Sequence, residues 1–174
     1  MKLVYLISLV VLVVLVSGCV QPKPGPDYPE QEVPSDLYAS YSYTAEATYV
    51  DIQIEKNKLS YTYFEDIEDK CAQWFLQAPC WESEDLKTVE AQLSTKELSE
   101  LYNLVQTVDF FNLEDTYGGA SEGQRYYSYT LNVKANGKEK EVVYQSFPEA
   151  SPEPEQFVKV RDKLLTLVDE KFTS

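Results

Sequence analysis

Any chemistry in this 174-residue chain is done without histidine, because the chain contains none. A Ser-His-Asp or Cys-His nucleophile system is therefore impossible, as is any zinc site that needs an imidazole. What remains is 29 acidic side chains, 15 lysines and arginines, and three cysteines, Cys19, Cys71 and Cys80. No S-x-x-K motif offers a Ser-Lys pair. The glycines between Gly118 and Gly123 lack the Gly-Lys-Ser/Thr ending and the preceding strand of a phosphate-binding loop, so they read as a mobile connection. Two carboxylates roughly 5–9.5 Å apart could hydrolyse a glycosidic bond. With 29 acids in one chain, such a pair arises by chance. No catalytic residue is assigned, and the chain reads as a non-enzyme.

Two stretches carry binding chemistry instead. Glu65-Asp66-Ile67-Glu68-Asp69, helped by Glu82, Glu84 and Asp85, offers the oxygen donors that calcium takes in sets of roughly six to eight. The run lacks the D-x-D-x-D-G spacing of a calcium loop, so a solvated acidic face describes it better, and neither metal nor cofactor is assigned. The other stretch is aromatic. Trp74 and Trp81 lie in and beside the Cys71–Cys80 segment of a chain with 14 tyrosines. Exposed aromatic rings stack on sugars or anchor protein partners. Trp81, next to Cys80 and followed by acids, is the ring expected to be most exposed.

The elements that must hold these residues follow from periodicity. From Tyr49 to Phe64, Val50, Ile52 and Ile54 alternate with polar neighbours, as do Leu59, Tyr61 and Tyr63 after a Lys56-Asn57 turn. Pairing outward from that turn sets Ile54 opposite Leu59, Ile52 opposite Tyr61 and Val50 opposite Tyr63, leaving one face wholly apolar. A second hairpin, Tyr126 to Phe147, turns at Asn136-Gly137, where both residues tolerate positive φ. There Leu131 meets Val142 and Tyr129 meets Tyr144, while Lys134 meets Glu139 and Asn132 meets Glu141 on the polar face.

A helix follows each hairpin. Ser94-Thr95-Lys96-Glu97 is a capping box, and Leu98, Leu101, Val105 and Val108 then share a face. Ser151-Pro152-Glu153-Pro154 opens the second helix, with proline in its first turn. Phe157, Val160, Leu164 and Leu167 form its stripe. Thr88 to Leu93 alternates weakly and suggests a further strand. Two stretches, 65–84 and 109–125, read as irregular, with Phe110-Phe111-Asn112-Leu113 plugging the core. The expected fold is α+β: an antiparallel sheet built from two β-hairpins with two helices packed on one face, in one domain, 37–174.

The N-terminus is different in kind. Leu3 to Val16 is nearly all Leu, Val and Ile, a length within the roughly 7–15 residues of a signal h-region and below the ~20 needed to span a bilayer. It ends in Val16-Ser17-Gly18-Cys19, which resembles the lipobox of prokaryotic lipoproteins. The resemblance implies a signal peptide at 1–18, cleavage after Gly18, and a lipid on the Cys19 sulfur that anchors the chain on the extracytoplasmic face of a membrane. Residues 19–36 hold five of the nine prolines and read as a tether reaching at most about 50 Å. The order hairpin, Leu-rich helix, Phe-Phe-x-Leu, hairpin, helix is in turn similar to small uncharacterised prokaryotic lipoprotein domains, a likeness that brings no reaction and no site residues.

With Cys19 lipidated, Cys71 and Cys80 remain to pair. An exported protein meets oxidising conditions in many envelopes, and a disulfide here closes a loop of about ten residues. The alternative, a redox or metal-binding thiol pair, lacks a C-x-x-C spacing. The net charge is −14, which repels nucleic acid and anionic lipid headgroups. The expected function is a lipid-anchored envelope or cell-surface binding protein, with an envelope protein or glycan as partner. A carbohydrate- or peptide-binding lipoprotein using the Trp74 and Trp81 loop is one alternative, and a small carboxylate-dependent hydrolase is another.

Overall fold

The computed structural model describes residues 32–67, 69–74 and 78–173. The signal segment, Cys19 and the tether as far as residue 31 lie outside the described residues. Among the described residues, no helix is long and apolar enough to cross a membrane.

The fold is α+β, but its sheet is larger than two hairpins. Strands β1 (Tyr38–Ala45), β2 (Thr48–Glu55), β3 (Lys58–Phe64) and β4 (Leu86–Gln92) form a meander. Helix α1 (Thr95–Thr107) follows, then a two-residue strand β5 (Thr116–Tyr117), the hairpin β6 (Tyr127–Ala135) and β7 (Lys138–Ser146), and helix α2 (Glu155–Phe172). The seven strands lie in the order β4-β3-β2-β1-β6-β7-β5. All neighbours are antiparallel except β5 and β7.

Both hairpins have the expected registers. Ile54 faces Leu59, Ile52 faces Tyr61 and Val50 faces Tyr63; Leu131 faces Val142 and Tyr129 faces Tyr144. Asn136 and Gly137 take φ of 53° and 71°, the left-handed pair that a tight hairpin turn requires. What unites the hairpins is β1, which pairs with β2 on one side and β6 on the other. Tyr41 thereby lies between Ile52 and Leu131, and Ala39 between Ile54 and Val133. The rows so formed are the apolar face of the sheet.

Both helices contribute to the one core cluster that contains this face. Phe157, Val160, Leu164 and Leu167 of α2 are fully buried, as are Leu101 and Val105 of α1. Phe157 packs near Tyr144 of β7, and Phe172 near Tyr61 of β3, each with centroids 6.4 Å apart. Helix α2 therefore runs diagonally across the sheet. Lys163 and Lys171 of α2 reach Glu100 and Glu97 of α1 at 2.8 Å. Phe110 is fully buried where α1 ends, as its position in the chain suggests.

Three expectations change. Helix α2 begins at Glu155, with Pro154 as its N-cap at ψ 137°. Pro154 thus precedes the first turn instead of standing in it, and Glu153 before it is biased to extended backbone by the proline ring. The glycine stretch is anchored at Gly118. A Cβ there would stand 2.0 Å from the Gln145 carbonyl oxygen, so glycine is what lets this segment lie against β7. The end of the tether also belongs to the fold. Val33 packs on the core, and the Asp36 carboxylate accepts the backbone N–H groups of Asn136 and Gly137 at 2.8 and 2.7 Å. Those two donors, Gly137 first, hold its pKa below the usual carboxylate value.

The α1 capping box forms as expected. Ser94 N–H donates to Glu97 Oε2 at 2.7 Å, and Glu97 N–H to Ser94 Oγ at 3.3 Å. Burial pushes the Glu97 pKa up, but hydrogen bonds from Lys171 and Ser94 together outweigh it and bring it down from 4.5 to about 2. A carboxyl lowered by folding stabilises the fold fully above its unfolded pKa and ceases to do so as pH falls through its folded value. Glu97→Gln is therefore expected to be less stable than the parent at pH 7 by about 1.5–3 kcal/mol, the usual worth of hydrogen bonds to a charged group. That gap should close between pH 4.5 and 2 when unfolding is followed across pH. A gap independent of pH would contradict the assignment.

Candidate functional site

Cys71 and Cys80 are joined as a disulfide with Cα atoms 5.5 Å apart. The loop is docked on the β1–β2 turn by the residues at its far end. Cys80 N–H donates to the Glu46 carbonyl at 2.8 Å, and Trp81 Nε1 donates to the Ala45 carbonyl at 3.1 Å. The Trp81 ring stands edge-on to Tyr49, with centroids 4.9 Å apart.

Trp81 is therefore half-buried and structural, contrary to its expected exposure. The acids after it do not pull it into solvent, because its indole satisfies a strand-end carbonyl. Trp74 is the exposed ring of the two, at 38%. Its Nε1 donates to the Ala78 carbonyl at 2.6 Å, which fixes the indole while leaving it open to solvent.

The acidic run is engaged within the loop itself. Asp66 accepts the N–H groups of Lys70 and Cys71 at 2.7 and 2.9 Å. Asp85 pairs with Lys70 at 2.6 Å and Glu65 with Lys87 at 2.5 Å. Glu68 lies outside the described residues. Among the described residues, no group of three or more Cys, Asp or Glu side chains is arranged to hold a metal.

The site that emerges is a fork in the sheet. The β1–β6 ladder ends at Tyr43 opposite Tyr129, yet β1 runs on to Ala45 and β6 begins at Tyr127. Past the last pair, an open cleft of about 230 Å³ lies between the two chains. One prong supplies Thr44, Ala45 and Glu46, and the other Arg125, Tyr126 and Tyr127. Ala78 and Pro79 of the disulfide loop complete its lining.

Glu46 ties the prongs together. Arg125 forms an ion pair with its Oε1, and Tyr127 Oη donates to Oε2 at 2.9 Å. The Arg125 guanidinium also lies 5.6 Å from the centre of the Tyr127 ring, within cation–π range. At the base of the fork, Tyr43 stacks on Tyr129 with centroids 4.3 Å apart and planes within 3°. Burial first, and then its hydrogen bond with Tyr129, push the Tyr43 pKa up to about 12. Tyr126 is 42% exposed at the mouth. It joins Trp74, whose partner Ala78 lines the same cleft.

Of the residues singled out in the sequence, the structure joins Cys71 to Cys80, leaves Trp74 exposed beside the cleft, and turns Trp81 into a brace behind it. Glu46, Arg125 and Tyr126 carry no motif. They meet only because β1 aligns with β6, and the one signal in the sequence is a basic residue beside two tyrosines in an acidic chain. No known protein family matches the chain, and no curated protein is detectably similar to it.

Because the disulfide closes the loop that completes the cleft, its removal has a defined cost. Cys71→Ser and Cys80→Ser should each lower stability by roughly 2–3 kcal/mol in denaturant unfolding. The reduced parent should match them. Equal midpoints for parent and variants would show that hydrogen bonds to the β1–β2 turn hold the loop unaided.

Proposed function

We propose that this chain is a lipid-anchored, extracytoplasmic binding protein that presents the β1–β6 fork to its surroundings. The anchor rests on Val16-Ser17-Gly18-Cys19. The binding site rests on one observation: of the three large hydrophobic side chains exposed among the described residues, Tyr126 lines the cleft and Trp74 is hydrogen-bonded to Ala78, which lines it too. Exposed aromatic rings beside a concave polar surface are the usual makings of a recognition site. The cleft lining favours binding over hydrolysis. Glu46 is the one carboxylate among the described lining residues, and glycoside hydrolysis generally needs two such groups.

Anchoring is tested in cells by phase partitioning and mass. The parent should enter the detergent phase with a mass raised by its lipid. Cys19→Ser should lose both the lipid mass and processing at this site. A mature parent with an unmodified Cys19 refutes the anchor.

The site is tested by capture from a detergent extract of the cell envelope. The parent should retain a component that the Trp74→Ala/Tyr126→Ala double variant loses. Equal retention by both would place binding elsewhere on the molecule.

A further inference from the structure

Resting on that reading, we propose that the β1–β6 fork is a saccharide subsite that takes one uncharged pyranose ring. Trp74 and Tyr126 would stack on its C–H faces, and the Glu46–Arg125 pair would bind its hydroxyls. Size comes first. At about 230 Å³ the cleft is smaller than the ~300–1,000 Å³ that receives drug-sized ligands, so it suits one ring of a longer molecule lying across an open mouth.

The lining points the same way. Among the described residues, the lining holds no large aliphatic side chain: beside the rings of Tyr126 and Tyr127, its apolar members are Ala45, Ala78 and Pro79. Apolar contact is offered by Tyr126 of the lining, 42% exposed, and by Trp74, 38% exposed, whose indole is hydrogen-bonded to the lining residue Ala78. Flat rings with negatively polarised faces attract the slightly positive C–H groups on one side of a sugar. The Trp74 N–H is already spent on Ala78, so the group this indole has left to offer is its ring face.

Polar recognition falls to a preset pair. Glu46 accepts from Arg125 and Tyr127, and the Arg125 guanidinium is steadied by the Tyr127 ring. A planar carboxylate beside a planar guanidinium presents acceptors and donors at neighbouring points. Adjacent ring hydroxyls, each donor and acceptor at once, match that pattern.

Two other ligand classes fit less well. Anionic sugars and acidic peptides approach a chain of net charge −14 against its field, and Arg125 already carries Glu46 as counter-charge. An extended peptide docks by adding to a free strand edge. Both β1 and β6 are interior strands with a neighbour on each side. Their prongs run only to Ala45 and from Tyr127, past a last pair at Tyr43 and Tyr129, too short for a strand to add.

The test is an array of neutral hexose and N-acetylhexosamine oligosaccharides, uronic-acid oligosaccharides and short peptides, probed with the full-length protein in detergent micelles. Trp74→Ala, Tyr126→Ala and Arg125→Gln are probed in parallel. All three are surface changes, and unaltered thermal transitions confirm folding. The parent should bind at least one neutral oligosaccharide, and each variant should weaken that binding roughly three- to tenfold. Neutral-sugar binding untouched by the variants overturns the proposal, as does site-dependent binding of uronic acids or peptides alone. The latter would leave the fork standing as the binding site. Envelope capture that depends on Trp74 and Tyr126, with no sugar bound, removes the sugar class in the same way. Loss of both results removes the site as well.

Discussion

The architecture hangs on the two-sided pairing of β1. From Tyr38 to Tyr43 each residue has a partner on β2 and another on β6. Without that strand, the sheet falls into two separate pieces, β4-β3-β2 and β6-β7-β5, each too small to offer both helices one apolar face. With it, Leu59, Ile54, Ala39 and Val133 form one continuous row, as do Tyr61, Ile52, Tyr41, Leu131 and Val142. Helix α2 spans these rows from Tyr144 to Tyr61, which only a joined sheet permits. Ala39, fully buried in the middle, keeps this surface low where the helices press on it.

The same strand creates the cleft by parting from its neighbour. Below Tyr43 and Tyr129 the main chains no longer pair, and side chains take over the work of holding them. Glu46 binds Arg125 and Tyr127 across the gap. The disulfide loop meets the turn from the other side through the carbonyls of Ala45 and Glu46. One two-residue turn, Glu46-Ala47, thus positions both walls. Rigid support behind an opening with exposed rims suits recognition, since little order has to be created when a ligand arrives.

Much of this was legible in the sequence, and the gaps have physical reasons. The hairpin registers could be read because a slip of one residue would turn apolar side chains to solvent. The helices showed because Leu98, Leu101 and Val105, and Phe157 through Leu167, keep one face, and because Ser94 and Glu97 cap reciprocally. Strand β1 was silent. Its Tyr-Ala-Ser-Tyr-Ser-Tyr-Thr-Ala sequence alternates small and aromatic residues with little contrast in polarity, and its burial comes from neighbours distant in the chain. Strand β5 is two residues long and is defined by its contact with β7. Trp81 misled because its surroundings in sequence are acidic, whereas its surroundings in space are Tyr49 and the Ala45 carbonyl. Glu46 and Arg125 form a pair only through the sheet, so no local pattern announces them.

The most direct test of the fork as the recognition site is a map of where ligand touches the protein. Backbone amide resonances would be followed by NMR while a neutral oligosaccharide is titrated in. The account predicts shifts concentrated at Thr44–Glu46, Ala78 and Arg125–Tyr127, with the Trp74 indole N–H moving in step. Shifts confined to the polar face of the sheet, around Ser40, Gln53 and Thr130, or to the β4 edge, would contradict it.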